Sequence, residues 1–312
     1  MRSRIALAPA LAFALAAVLA LVAAPAPPVQ AAPAATATYN IWAWNVAGWK
    51  MNRASTTNGM VSGAVASIGN RGAQFVVFNE LCWQQYKAIQ SGLRNAGWPQ
   101  DVNNFSRWEP QTSASCNGEP YGLAIFSKAP LGTAERLTLA QDESQEQRKL
   151  LCAPLAAQPK VRFCGTHITP SNTVINGRKI NETQLGQVLA RIESHHAAGG
   201  TTVIAGDFNA QPSYGRLNTW YDAALSTPDN PDNTGNYREL DDTDPRCPGY
   251  GEATTENNIL GKCGQASKID LIFIRKNKLT PGYTSDALAI SQACDGPCSD
   301  HRITTGTASI TY

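Results

Sequence analysis

The run VIAGDFNAQP at 203–212 decides how this chain is read. Small and apolar residues lead to Gly206, and Asp207 and Asn209 follow two positions apart. Side chains two apart in extended backbone share one side. A carboxylate and a carboxamide are therefore expected to face one pocket past the end of a buried strand, where open sheets place their ligands. The pattern recurs in AWNVAG (43–48), FVVFNEL (75–81), FCGTHIT (163–169), KIDLIFI (268–274) and SDHRIT (299–304), each setting an oxygen donor or a histidine beside an apolar run. Asn45, Glu80, Asp207, Asn209, Asp270 and Asp300 are donors suited to a hard cation such as Mg²⁺, with Mn²⁺ or Ca²⁺ as alternatives, and not to zinc.

Each candidate has a plain structural reading beside the chemical one. Gly-Asp-x-Asn is good turn material, and Asn45 suits an Asx-turn. Glu80 would be favoured at the N-terminus of a following helix, yet a carboxylate after four apolar residues is rarely buried unless paired or metal-bound. His301 needs a partner to fix its tautomer, and Asp270, in an apolar run, is the natural one. His167 ends an apolar run and reads either as a core histidine or as a site residue. Glu119 is a candidate to orient it. Arg148 is a candidate phosphate contact as a fixed cation, and Tyr121 is a weaker one. His195 and His196 read as surface residues at a helix C-terminus.

Arg2 and Arg4 precede an apolar run from Ile5 to Ala24 and a Pro-rich stretch reaching Pro33. This reads as a secretory signal peptide over 1–31, with Val29-Gln30-Ala31 suiting cleavage; a membrane anchor ranks second. Without 1–31 the chain has 24 basic and 24 acidic residues, so the bulk attraction of a tight nucleic-acid binder is absent. Residues 32–312 are read as a single domain. Eight cysteines in an exported chain suggest four disulfides. Adjacency in sequence suggests the pairs Cys82–Cys116, Cys152–Cys164, Cys247–Cys263 and Cys294–Cys298. A zinc site is disfavoured because there is no Cys-x-x-Cys pair.

Patterning predicts strands near 38–46, 74–79, 120–127, 135–140, 148–155, 161–168, 201–206, 268–275 and 302–311. Helices are predicted over 59–69, 83–96, 178–197 and 213–224. The stretch 226–250 reads as a long surface loop. Trp42 and Trp44, at strand spacing, read as core. Sheets covered by helices fit this order better than one doubly wound sheet.

Taken in order, WNV, apolar-Asn-Glu-Leu, YGLAIFSK (121–128), THIT, GDFN, IDLIF and SDH closely resemble the endonuclease/exonuclease/phosphatase superfamily from residue 38 to the C-terminus. His167 resembles the deoxyribonuclease I and sphingomyelinase branches, and the whole looks like a secreted bacterial member. The resemblance implies a four-layer α/β sandwich, two packed mixed sheets flanked by helices, and divalent-metal-dependent phosphoester hydrolysis. It further implies Asn45, Glu80 and Asp300 at the metal, with Asp207 and Asn209 orienting water and helping hold an ion. His301, held by Asp270, would act as base or phosphate stabiliser, and His167 would bind phosphate or serve the leaving group. Where many members have Gln-Glu, this chain has Asn79-Glu80. The expected activity is a secreted, monomeric endonuclease acting on DNA, without a stable protein partner. The alternative is a sphingomyelinase-like or other small-molecule phosphoesterase, and the complete residue set argues against a mere binding module.

Overall fold

The computed structural model describes residues 34–99, 101–255 and 268–312. The signal-peptide reading of 1–31 lies outside the described residues. In chain order the first strands are β1 (Thr36–Asn45), β2 (Phe75–Cys82), β3 (Ser106–Cys116), β4 (Glu119–Ser127) and β5 (Glu135–Thr138). Next come β6 (Lys149–Pro154), β7 (Val161–His167), the short β8 (Val174–Ile175) and β9 (Arg178–Lys179), and β10 (Thr201–Asp207). The last are β11 (Tyr237–Glu239), β12 (Asp270–Arg275), β13 (Thr284–Ala287) and β14 (Thr304–Thr311). The helices are α1 (Met60–Asn70), α2 (Trp83–Asn95), a single turn α3 (Val102–Phe105) and α4 (Ile180–Ala197).

Period-two alternation sorts these side chains into layers. In β1, Ile41 and Ala43 face a central core shared with Phe75 and Val77 of β2, Val161 and Phe163 of β7, Val203 and Ala205 of β10, and Ile272 and Ile274 of β12. The intervening Trp42 and Trp44 pack instead with Val76, Phe78 and residues of α1 and α2. Across the molecule Ile204, Leu271 and Phe273 pack with Leu185, Val188 and Ile192 of α4. The result is helix, sheet, sheet, helix: two mixed six-stranded sheets ordered β13-β14-β1-β2-β4-β3 and β11-β12-β10-β7-β6-β5. This is the four-layer sandwich expected. Each sheet has one parallel pair near its centre, β1 with β2 and β7 with β10.

Three of the four expected disulfides are present: Cys82–Cys116, Cys152–Cys164 and Cys294–Cys298. Cys152 and Cys164 stand directly opposite in the β6–β7 ladder. Cys247 is itself buried and disulfide-bonded, but Cys263, and with it the expected pairing of Cys247, lies outside the described residues.

Several expectations fail for identifiable reasons. The predicted helix 213–224 is a 3-10 turn at Pro212–Tyr214 followed by irregular turns. Leu217, Trp220, Tyr221 and Leu225 are buried at helical spacing, but Gly215 adopts φ 72° and ends the turn. The backbone around Tyr221 and Asp222 then pairs with Tyr237 and Gly235. The stretch 226–250 is not a surface loop: it holds β11, and Tyr237, Glu239, Leu240, Asp241 and Asp242 are buried. Lys268 neutralises Glu239 and Asp241, and Arg238 neutralises Asp242. β3 escapes the patterning because Pro110 interrupts it; as an edge strand it tolerates the missing N–H.

His195 and His196 are buried, not on the surface. His195 Nε2 lies 2.9 Å from Glu135 Oε2, and His196 Nδ1 lies 3.0 Å from the Gly200 carbonyl oxygen. Burial lowers the His196 pKa from 6.5 to about 4. The unfolded chain therefore takes this proton first, and the stability linked to neutral His196 is present above pH 6.5 and lost as pH falls toward 4. Over that window wild type is expected to lose about 2–3 kcal/mol more than His196→Gln. Urea unfolding of both proteins at neutral and acid pH measures the difference.

Candidate active site

Each inward-facing row ends in a polar residue at the same end of the sandwich. Ile41-Ala43 leads to Asn45, Phe75-Val77 to Asn79, Val161-Phe163-Gly165 to His167, Val203-Ala205 to Asp207, and Ile274-Ile272 back to Asp270. Register aligns them: Asn45 opposes Asn79, and Asp207 opposes both His167 and Asp270. Asn45, Asn79, His167, Asp207 and Asp270 are all buried.

Asn79 joins the two sheets. Its Nδ2 donates to the Thr166 carbonyl at 2.9 Å, and its Oδ1 accepts from the Asp207 amide at 2.9 Å. Gly206, at φ 140°, permits this approach, since a Cβ there would lie 2.2 Å from the Thr166 oxygen. Asn79→Leu keeps the volume but leaves both backbone groups unpaired. It is expected to cost about 2–4 kcal/mol, read from the urea midpoint.

Glu80 leaves the alternation. A register shift between Phe78 and Leu81 and φ 56° at Glu80 turn its carboxylate back to the site, a conformation that costs a non-glycine residue about 1–2 kcal/mol. Asn45 Nδ2 then donates to Glu80 Oε1 at 3.1 Å and to Asp207 Oδ2 at 3.0 Å. The Asn45 Oδ1 accepts from the Ala47 amide at 3.1 Å. In this arrangement Asn45 presents its nitrogen, tying two carboxylates together.

Asp207 accepts from the Asn209 amide at 2.8 Å, and its Oδ2 lies 3.5 Å from His167 Nε2 and 3.9 Å from His301 Nε2. Burial raises the Asp207 pKa, Asp270 adds to the rise, and His301, His167 and Asn45 oppose it. Asn209 is not in extended backbone: at φ 44° it closes a turn on Asp207, and its Nδ2 donates to the Ile168 carbonyl at 2.9 Å. Gly-Asp-x-Asn is thus a turn that brings the Asn209 backbone amide onto Asp207, where an extended pair of side chains was expected.

His301 Nδ1 lies 2.9 Å from Asp270 Oδ2. Burial disfavours the imidazolium, but the carboxylates of Asp270, Asp207 and Asp300 outweigh burial and raise its pKa to about 10. The Trp44 indole donates to the His301 carbonyl at 3.0 Å, and Ser299 Oγ accepts from the His301 amide at 3.0 Å. Asp300 sits at the rim, bound by Lys50 at 2.7 Å. That hydrogen bond and charge raise the Lys50 pKa, with a smaller part from Glu80.

On the other flank, His167 Nδ1 lies 3.1 Å from Glu146 Oε1, and Arg148 Nη1 lies 2.9 Å from the same oxygen. Glu146, not Glu119, orients His167. Its carboxyl is buried, which raises its pKa, but His167 and Arg148 reverse this and hold it low. Tyr121 is raised well above its usual pKa by burial and by Glu80 and Glu146. Tyr121 thus lies beside Glu80 and Glu146, and Arg148 beside Glu146. Glu146 was missed because QDESQEQ (141–147) carries no pattern beyond polarity. Ser299 and Trp44 lie within segments the motifs had marked.

Asp207, Asp270 and His301 offer ligand atoms within 4.8 Å of one another. The Asp270 Oδ1 is buried without a partner among the described residues. With Glu80 and Asp300 nearby, this oxygen-rich, acidic set fits a hard divalent cation.

The model of the Endonuclease/Exonuclease/phosphatase family matches residues 38–301. The chain belongs to that family. Members of the family are phosphoesterases, and the chain carries their fold. Zebrafish (D. rerio) TDP2 complexed with a single-strand DNA product is 16% identical, with TM-score 0.58 over 87% of this chain and 98% of that one. The human Nocturnin catalytic domain with bound sulfate is 14% identical, with TM-score 0.59 over 89% and 97%. An endonuclease/exonuclease/phosphatase from Bacteroides vulgatus is 14% identical, with TM-score 0.57 over 87% and 98%. These likenesses concern the fold. No curated protein matches the chain. Among the described residues no helix is long and apolar enough to cross a membrane.

Proposed function

We propose that this chain is a secreted, divalent-metal-dependent phosphodiesterase that cuts DNA internally. The observation that carries this reading is the Asp270–His301–Asp207 row, joined through Asn45 to Glu80 at the sandwich end. Glu80 and Asp207, tied together by Asn45, would hold Mg²⁺ with Asn209 and Asp300. Bound there, the ion supplies Lewis-acid charge neutralisation at a phosphoryl oxygen. The chain's own groups do the rest. Asp207 takes a proton from the attacking water, which Asn209 helps align. His301, held charged by Asp270, neutralises phosphoryl oxygen charge as the P–O ester bond breaks. His167, fixed by Glu146, and Arg148 offer further donors to the phosphate or the leaving oxygen. The three disulfides among the described residues support an oxidising compartment.

A lipid phosphoesterase is the second reading. Its support is the β8–β9 tip, where Val174 is 62% exposed beside Ile175, on the segment that follows His167.

With Mg²⁺ the oxidised protein is expected to hydrolyse bis-p-nitrophenyl phosphate, and excess chelator is expected to lower the rate at least ~10²-fold. A chelator-insensitive rate would sink the metal-dependent reading.

A further inference from the structure

Four basic side chains stand around the site, and they differ in freedom. His301 is held by Asp270 at 2.9 Å, and His167 and Arg148 are held by Glu146 at 3.1 and 2.9 Å. All three are largely buried, with side chains 12%, 2% and 8% exposed. Lys50 is 71% exposed, and its Nζ meets Asp300 Oδ2 at 2.7 Å. An ammonium has three donors, and Asp300 takes one of them. Glu80 adds to the negative charge that the ammonium feels.

The backbone beneath this mobile side chain is fixed. The Gly48 amide donates to the Glu80 carbonyl at 2.9 Å, and the Gly48 carbonyl accepts from Gln85 Nε2 at 3.1 Å. On either side of Lys50, the Met51 amide donates to the Ala47 carbonyl at 2.9 Å and the Arg53 amide to the Trp49 carbonyl at 3.1 Å. Asn52 Nδ2 donates to the carbonyls of Val46 at 2.8 Å and Cys298 at 2.9 Å. That second bond joins the turn to the segment carrying Asp300. A flexible stem on a rigid turn is thus stationed at Asp300 and beside Glu80.

A divalent ion held by Glu80, Asp207 and Asp300 would draw on the same carboxylates as the Lys50 ammonium. Cations sharing one carboxylate lie roughly 4 Å apart and repel. We propose that Lys50 is exchanged between metal site and substrate: the divalent ion displaces its ammonium from Asp300, and the ammonium then contacts a non-bridging oxygen of the phosphodiester. The inference rests on the phosphodiesterase reading above and adds a substrate contact to the same site. A point charge with rotatable donors on a four-carbon stem suits such a move, whereas Arg148 is buried and pinned.

Two effects of opposite sign follow from removing the charge. Lys50→Met keeps the stem and loses the ammonium, so the ion no longer competes for Asp300 while the phosphodiester loses a charge-assisted donor. Mn²⁺ binding without substrate is followed by electron paramagnetic resonance of the free ion, and hydrolysis of bis-p-nitrophenyl phosphate is followed at saturating Mg²⁺. The variant is expected to bind Mn²⁺ about 3- to 10-fold more tightly, the effect of one largely solvated unit charge. It is expected to lose about 10- to 100-fold in kcat/KM, carried mainly by KM. Lys50→Arg, which keeps the charge, is expected to recover most of that loss. Unchanged or weaker Mn²⁺ binding by Lys50→Met would overturn the exchange, and an unchanged kcat/KM would overturn the substrate contact. A wild-type protein that binds no Mn²⁺ would instead sink the metal-dependent reading on which the inference rests.

Discussion

Replacing His301 with alanine is expected to lower phosphodiester hydrolysis by about 10²- to 10⁴-fold while the protein stays folded. The imidazole is held at one edge by Asp270 at 2.9 Å, and its other nitrogen points into the space before Asp207. Its pKa of about 10 keeps it charged at neutral pH, so its removal takes a fixed positive charge from the place where phosphoryl charge develops. The fold should survive. Asp270 is left buried without its counter-charge, so the melting temperature is expected to fall without loss of the fold. Rates with bis-p-nitrophenyl phosphate, beside a far-UV circular dichroism melt, check both halves. A folded variant with the wild-type rate would remove His301 from the chemistry.

Asp207→Asn is expected to be as damaging to turnover, about 10³- to 10⁴-fold, and to leave stability unchanged or raised. Burial and the Asp270 charge both raise the Asp207 pKa. For a group raised in the folded state, stability is fully present below the unfolded value and is lost as pH rises through the folded one. At neutral pH the charged Asp207 is therefore a burden on the fold, and the amide removes it. The Asn209 amide can still donate to the carboxamide oxygen in the Oδ1 position, while Asn45 Nδ2 loses Oδ2 and keeps Glu80. A residue whose loss abolishes activity without loss of stability is held there for function. A variant that melts well below wild type would contradict this, because Asp207 would then be a structural residue.

The part of this arrangement that was legible lies in the strands. Ile41-Ala43-Asn45 and Val203-Ala205-Asp207 announce an inward row with a polar end, because side-chain direction in a strand has a fixed period. Cys152 and Cys164 could be paired for the same reason. What was not legible depended on partners remote in sequence. Glu146 sits in a polar loop and gains its role only because β6 and β7 bring it to His167. Leu217, Trp220, Tyr221 and Leu225 show a helical period, yet a left-handed Gly215 and pairing with β11 decide otherwise. The burial of Asp241 and Asp242 could not be read from a Pro-, Asp- and Asn-rich stretch, since Lys268 and Arg238 make it tolerable. Asn79 spans from Thr166 to Asp207. Its short side chain suffices because Gly206 brings the backbone close.

The most direct measurement is nicking of supercoiled plasmid by the oxidised protein in Mg²⁺, in excess chelator, and with His301→Ala. The account predicts open-circle product only for the metal-loaded wild type. Intact plasmid in all three, with bis-p-nitrophenyl phosphate still cleaved in a metal-dependent way, would contradict the DNA assignment and favour the lipid or small-molecule reading.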